Sequence, residues 1–125
     1  QFDGMPLLVI TSSDCPKEYH DTLTKQQISW IATGKTEIDL PRAMEILYKE
    51  FKVERLSVTG GGNINAAFLK EGLLDEVSMM WCPGIDGRKG MVAAFDGLDV
   101  DFPPIKLKLT SVEKLDETIW AKYKL

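Results

Sequence analysis

Apolar and polar positions fall into short blocks along this chain, and the blocks predict strands and helices in alternation. Leu7-Leu8-Val9-Ile10 is an apolar run of the kind a strand covered on both faces shows. Thr11-Ser12-Ser13-Asp14 ends it with turn and cap residues, and Pro16 suits the first turn of a short helix running to about Thr24. Ile28 to Ala32 predicts a second strand, stopped by Gly34. Asp39 is placed to cap the next helix, with Pro41 in its first turn. Leu40, Ala43, Met44, Leu47 and Phe51 recur there at helical spacing and define a core face. Arg55 to Val58 predicts a third strand, and an amphipathic helix follows as far as Gly72, a C-terminal cap position. Leu74 to Cys82 predicts a longer strand, halted by Pro83-Gly84, and residues 84–104 are irregular. Two alternating stretches, Lys106 to Val112 and Thr118 to Leu125, predict an antiparallel hairpin with its turn over Glu113 to Glu117. The pattern is β-α-β-α-β-α-β closed by an antiparallel pair: a single α/β domain over 1–125, with a mostly parallel sheet and a C-terminal hairpin.

Between the third strand and its helix stand three consecutive glycines, Gly60-Gly61-Gly62. Glycine raises the entropic cost of ordering the chain, and a turn with φ > 0 normally needs only one. Three suggest that backbone N–H groups approach a ligand with no Cβ in the way. The following helix directs its unpaired N–H groups and partial positive charge at the same place, which suits an anion such as phosphate. The alternative is a strand-to-helix bend that binds nothing. Neither Gly-x-x-x-x-Gly-Lys-Ser/Thr nor Gly-x-Gly-x-x-Gly is present, so the glycines alone name no particular nucleotide. In α/β sheets ligands sit beyond the carboxyl ends of parallel strands. That edge collects Thr11-Ser12-Ser13, Thr33-Gly34-Lys35 and Thr59 through Asn63, enough for an extended ligand. A diphosphate on Gly61 to Asn65, with a ribose or adenine near Ser12, is the expected division.

Composition narrows the partners. The 125 residues are 44% hydrophobic and 27% charged, ordinary values for a globular domain. A net charge of −4 with no basic block argues against nucleic acid. No run approaches the ~20 apolar residues of a membrane span, and no signal-peptide pattern opens the chain. Cys15 and Cys82 make neither a disulfide framework nor a metal spacing, which is compatible with a reducing cytoplasm; no metal is expected.

The stretch from Thr59 through Gly60-Gly61-Gly62-Asn63-Ile64-Asn65-Ala66-Ala67-Phe68-Leu69 to Val77, continuing to Pro83-Gly84-Ile85-Asp86-Gly87-Arg88, closely resembles the pyrimidine reductases of riboflavin biosynthesis. This is the reductase domain of the RibD type, within the dihydrofolate-reductase-like superfamily. The likeness extends upstream through Ile28 to Lys35 and the Ile38-Asp39-Leu40 helix start. It implies an enzyme that passes a hydride from NADPH to the ribose of a phosphoribosylaminopyrimidine, opening the ring to a ribityl chain. It also implies a homodimer, and cofactor contacts at Ser12, Gly61, Gly62, Asn63, Ile64, Asn65, Ala66 and Ala67. The family's usual glutamate before the glycines is replaced by Thr59, the position expected to meet substrate. The family domain also opens with a long stretch that has no counterpart here, including a mid-sheet strand. The chain therefore resembles the C-terminal portion of a reductase domain, with a sheet edge left unpaired. The remainder is expected on another polypeptide, lost, or present in the protein outside the residues read.

No general acid is assignable. His20 is expected on a solvated surface rather than in acid–base work. Asp75 and Glu76, adjacent on a strand, point to opposite faces. Asp86-Gly87-Arg88-Lys89 either brings cationic charge to a phosphate or is a plain loop. Trp30 and Trp120 are expected in the core, Met79, Met80 and Trp81 in the core or a dimer seam, and Cys82 as a buried thiol. Two other functions stay open: a dihydrofolate-reductase-like oxidoreductase with a different substrate, and a non-catalytic nucleotide-binding or dimerisation module.

Overall fold

The computed structural model describes residues 4–91 and 93–125. Asp3, of the Asp3-Gly4 pair that suggests a turn, lies outside them. The chain divides into two compact units, the first ending at Ser57 and the second running from Val58 to Leu125.

In the first unit, β1 (Leu8–Thr11) and β2 (Ser29–Ala32) pair in parallel, with Leu8 opposite Ser29 and Thr11 opposite Ala32. The crossover between them is α1 (Lys17–Lys25), as a parallel pair requires. Gln27 takes a left-handed φ of 57° just beyond α1. The Ile28 N–H then reaches back to the Leu23 carbonyl and the Gln27 N–H to that of Thr24, closing the helix end. Helix α2 (Leu40–Phe51) is capped as the sequence predicts: the Asp39 carboxylate accepts from the Arg42 N–H at 2.9 Å. Buried residues here are Thr11, Leu23, Ile31, Thr33, Ala43 and Leu47. Phe51, expected on the core face of α2, is exposed in its last turn. Trp30, also expected in the core, is 39% exposed. It alternates along β2 with buried Ile31, and a strand turns successive side chains to opposite faces.

The second unit begins with α3 (Gly62–Lys70), which ends in a left-handed Gly72 at φ 65°. The N–H of Leu73 bonds the Phe68 carbonyl and that of Gly72 the Leu69 carbonyl, so Gly72 is the helix stop the sequence predicts. Strands β3 (Glu76–Trp81), β4 (Lys108–Leu115) and β5 (Thr118–Lys124) form an antiparallel sheet in the order β3-β5-β4. The strand predicted over Leu74–Cys82 is thus present, but antiparallel to β5. The hairpin is tighter than predicted: β4 runs through Leu115, leaving Asp116-Glu117 as the turn, with Asp116 at φ 52°. A ladder irregularity lies between Leu109 and Ser111. Buried residues are Ala66, Phe68, Val77 and Ala121.

Arg55–Val58, predicted as a strand, joins no ladder among the described residues, because no described strand pairs with it. Cys82, one residue past the end of β3, is exposed rather than buried. Trp120 is half-buried; its indole N–H donates to Ser78 Oγ at 2.8 Å and Lys122 Nζ lies 3.9 Å above its ring. Both contacts lie on the polar face of the sheet, away from Val77 and Ala121.

Candidate functional site

The glycine bend opens the second unit. Gly60 has φ 101°, a value that favours glycine, and the Gly60–Gly61 peptide bond is cis. Gly61 takes the N-cap position of α3 with φ −68° and ψ −169°, and no side chain caps the helix there. The first helical bond back to the bend is Asn65 N–H to the Gly61 carbonyl, 3.0 Å. Among the described residues, no backbone carbonyl accepts from the N–H groups of Gly61, Gly62, Asn63 or Ile64. These are the orphan donors of a helix start.

Of the sequence-predicted contacts, Gly61, Asn63 and Ile64 are exposed, while Gly62 and Asn65 are half-buried. Ala66, by contrast, is 2% exposed and turns its methyl into the core, and Ala67 is half-buried. Both lie beyond the first turn, where helix N–H groups serve the helix's own carbonyls. Thr59, before the bend, is exposed.

The segment Ala93–Gly97 lies against this first turn, which the sequence did not reveal. Asn65 Nδ2 donates to the Ala94 carbonyl at 2.7 Å, and the Asp96 N–H donates to the Gly62 carbonyl at 3.2 Å. A Cβ on Gly62 would stand 2.6 Å from the Ala93 carbonyl oxygen and 2.9 Å from Asp96 Cβ. Gly62 is therefore needed for close packing within the protein, whereas a Cβ on Gly61 would meet nothing within 4 Å among the described residues. The two glycines, indistinguishable in sequence, do different work. The Asp96 side chain caps its own loop, Oδ1 accepting from the Gly97 N–H at 2.8 Å. Nothing in the periodicity of residues 84–104 signals these contacts.

Beside the bend, a cleft of about 270 Å³ is lined by Val58, Asn65, the length of β3 from Glu76 to Met80, and Ala94-Phe95.

In the first unit the segments that follow the carboxyl ends of the two parallel strands are bonded to each other. The Thr33 N–H donates to the Thr11 carbonyl at 3.0 Å, Ser13 to Gly34 at 3.1 Å, and Asp14 to Lys35 at 2.9 Å. Ser12, half-buried, sits at this edge; its carbonyl accepts from the Cys15 N–H and the Thr11 hydroxyl. His20 is not a solvated surface residue. Its Nε2 lies 3.0 Å from Thr11 Oγ1 and its ring stacks on Trp30, centroids 4.2 Å apart and 9° from parallel.

The Asp86-Gly87-Arg88-Lys89 loop is exposed, and Arg88 is engaged by its neighbour. The guanidinium grips Asp86 at 2.8 and 2.6 Å, which lowers the Asp86 carboxyl below its ordinary range and raises Arg88. Among the described residues no cluster of His, Cys, Asp or Glu could hold a metal ion, and no helix is long and apolar enough to cross a membrane.

Comparisons with known proteins agree with this architecture. Residues 2–121 match the family model of the RibD C-terminal domain. Among curated proteins, the chain is 29% identical over 123 residues to the 2,5-diamino-6-ribosylamino-4(3H)-pyrimidinone 5′-phosphate reductase of Methanothermobacter thermautotrophicus, covering 97% of this chain and 56% of that protein. It is 25% identical over 92 residues to the enzyme of the same name from Aquifex aeolicus, covering 74% of this chain and 41% of that protein. The chain thus spans about half the length of the curated relatives it matches. Among solved structures, Acinetobacter baumannii RibD superposes with a TM-score of 0.75 at 22% identity, over 94% of this chain and 30% of that one. A pyrimidine reductase-like protein from Corynebacterium diphtheriae gives 0.76 at 20% identity, over 94% and 49%. These two likenesses establish the fold, with the dihydrofolate-reductase-like arrangement expected from the sequence, and the family match goes further: this chain belongs to the RibD C-terminal domain family.

Proposed function

We propose that this chain is the dinucleotide-binding part of an NADPH-dependent reductase that acts on a phosphoribosylaminopyrimidine in riboflavin biosynthesis. The observation that supports this reading is the set of N–H groups at Gly61, Gly62, Asn63 and Ile64, which have no backbone acceptor among the described residues. Donors arranged in this way at a helix start suit a diphosphate. Among the described residues no atom lies within 4 Å of a Cβ on Gly61, which leaves room for such a group to approach. The names of the two reductases similar to this chain supply the substrate class.

The residues present fit the cofactor's phosphates, and each has a limited task. Gly61 through Ile64 hold the diphosphate by their N–H groups, and the positive end of α3 adds to the attraction. Asn65, through Ala94, keeps the Ala93–Gly97 segment against that turn. The resemblance adds Ser12, at the carboxyl edge of the parallel pair, as a further cofactor contact. When bound, the nicotinamide supplies the hydride; the protein's contribution is position and exclusion of water. Thr59 faces the substrate in place of the family's usual glutamate. We assign no acid or base to this chain. A homodimer and a cytoplasmic location are part of the same reading.

The test is an equilibrium titration with NADPH and with NADP, on the wild-type chain and on Gly61→Val. The negative φ of Gly61, −68°, and the space at its Cβ position among the described residues accept a side chain there. Binding by the wild type that is lost in Gly61→Val, with an unchanged melting curve, is the expected result. Unchanged affinity in the variant rules the cradle out. Turnover with the phosphoribosylaminopyrimidine, in its diamino-pyrimidinone and deaminated forms, against turnover with dihydrofolate then decides the substrate. The dihydrofolate alternative is motivated by Thr59.

A further inference from the structure

Thr11, Thr24 and Trp30, none of them given a task in cofactor binding, close around His20. The Trp30 indole N–H donates to Thr24 Oγ1 at 3.3 Å, and the Thr24 hydroxyl donates to the His20 carbonyl at 2.9 Å. Trp30 is thereby tied to α1 and stacks on the His20 ring. The stack steadies the imidazole with Nε2 3.0 Å from Thr11 Oγ1. His20 is half-buried and Thr11 is 8% exposed, so water competes poorly for this contact.

The Thr11 hydroxyl has a single proton and two acceptors for it. The Ser12 carbonyl lies 3.3 Å away and His20 Nε2 3.0 Å away. When Nε2 carries no proton, it competes with the carbonyl for the hydroxyl. When the ring is an imidazolium, both of its nitrogens are donors. Nε2–H then points at Oγ1, and the hydroxyl proton is left to the Ser12 carbonyl. The charge on His20 thus decides how many bonds that carbonyl receives. Beside a bare Nε2 it keeps the Cys15 N–H, at 3.2 Å; beside the imidazolium it gains the Thr11 hydroxyl as well.

Histidine is the side chain that changes charge between about pH 5 and pH 8. The strands against which α1 packs bring no charge to it: β1 reads Leu-Val-Ile-Thr and β2 Ser-Trp-Ile-Ala. On α1 itself Lys17 lies one turn before His20, and Glu18, Tyr19 and Asp21 flank it, all exposed. The loop between β1 and α1 adds exposed Asp14 and half-buried Cys15. At Nε2 the partner is a hydroxyl and not a carboxylate, so a proton gained there is passed on as a hydrogen bond rather than absorbed in an ion pair.

We propose that His20 is a positioning residue whose protonation, relayed through the Thr11 hydroxyl, sets the Ser12 peptide at the carboxyl edge of β1. Its consequence for a ligand rests on the cofactor reading, in which Ser12 is a contact. The acid form holds the Ser12 carbonyl by two bonds instead of one, and the better-ordered edge binds the dinucleotide more tightly.

Heteronuclear NMR tests the relay on the unaltered chain. The Ser12 carbonyl carbon and the Ser13 amide nitrogen bonded to it should shift with pH along the same curve as the His20 ring protons. Thr11→Val keeps the imidazole and its charge but removes the hydroxyl, and both signals should lose that step. NADP, the more acid-stable form of the coenzyme, is then titrated at about pH 5 and about pH 8. Its gain in affinity in acid should be roughly fivefold larger for the wild type than for Thr11→Val, the worth of one neutral hydrogen bond. His20→Gln, with no proton to gain, should lack that excess as well. The proposal is overturned if Ser12 and Ser13 ignore the His20 titration, or if they follow it equally in Thr11→Val, the mark of a through-space field. It is also overturned if NADP binds all three proteins with one pH dependence, and the cofactor reading then stands. If NADP binds none of them at either pH, the cofactor reading fails instead, and the NMR titrations still decide the relay.

Discussion

Asn65 and Ala94, 29 residues apart, are joined by a 2.7 Å hydrogen bond from side-chain amide to backbone carbonyl. That contact ties an irregular segment to the turn of helix that offers the free N–H groups. Asn65→Ala should release the Ala93–Gly97 segment without unfolding the second unit. A neutral hydrogen bond is worth about 1 kcal/mol, so NADPH affinity should fall roughly fivefold. Isothermal titration measures the affinity, and faster exchange of the Asp96 amide reports the loosened segment.

Gly62 and Gly61 should separate on substitution. Gly62→Ala places a methyl against the Ala93 carbonyl and Asp96, and overpacking of this kind costs about 1–3 kcal/mol. Gly61→Ala meets nothing and should leave the urea midpoint unchanged. Equal midpoints for the two variants would contradict the packing described.

The His20 stack on Trp30 gives the first unit an optical probe. His20→Ala removes the stack and the contact with Thr11 Oγ1. The near-ultraviolet circular dichroism of Trp30 should collapse, and stability should drop by about 1 kcal/mol or less, because the Thr11 hydroxyl retains the Ser12 carbonyl as a partner.

Acid should weaken α2 through Glu45. Its carboxyl is held below the ordinary value by the hydrogen bond from Lys49, then that from Arg42, with both positive charges adding. A depressed carboxyl contributes stability above its unfolded value, and that contribution is lost as pH falls through the lowered folded value. Both partners are exposed, so the effect should be small and should fade in high salt. Urea midpoints followed from neutral to acid pH should show a shallower acid limb for Glu45→Gln at low salt, and no difference from wild type at high salt.

Helix caps and alternating strands were legible in the sequence because local chemistry decides them. Asp39 with Pro41, Gly72 and the hairpin all lie where residue type predicts. The glycine bend was visible as three glycines, but their division of labour was not, since it depends on Ala93 and Asp96 far along the chain. Trp30 and Cys82 were misplaced because apolarity does not say whether a neighbour covers a given face. Arg55–Val58 shows the same limit, as strand propensity cannot form a ladder without a pairing strand.

The order β3-β5-β4 places at the centre of the sheet the strand that comes last of the three in sequence. On the ribosome, β3 and β4 emerge with no template between them and must wait for Thr118–Lys124 before either can bond. A stop codon at Glu117 would therefore remove every ladder of the second unit rather than trim one margin, and the nascent chain stays vulnerable to proteases until synthesis has passed that point.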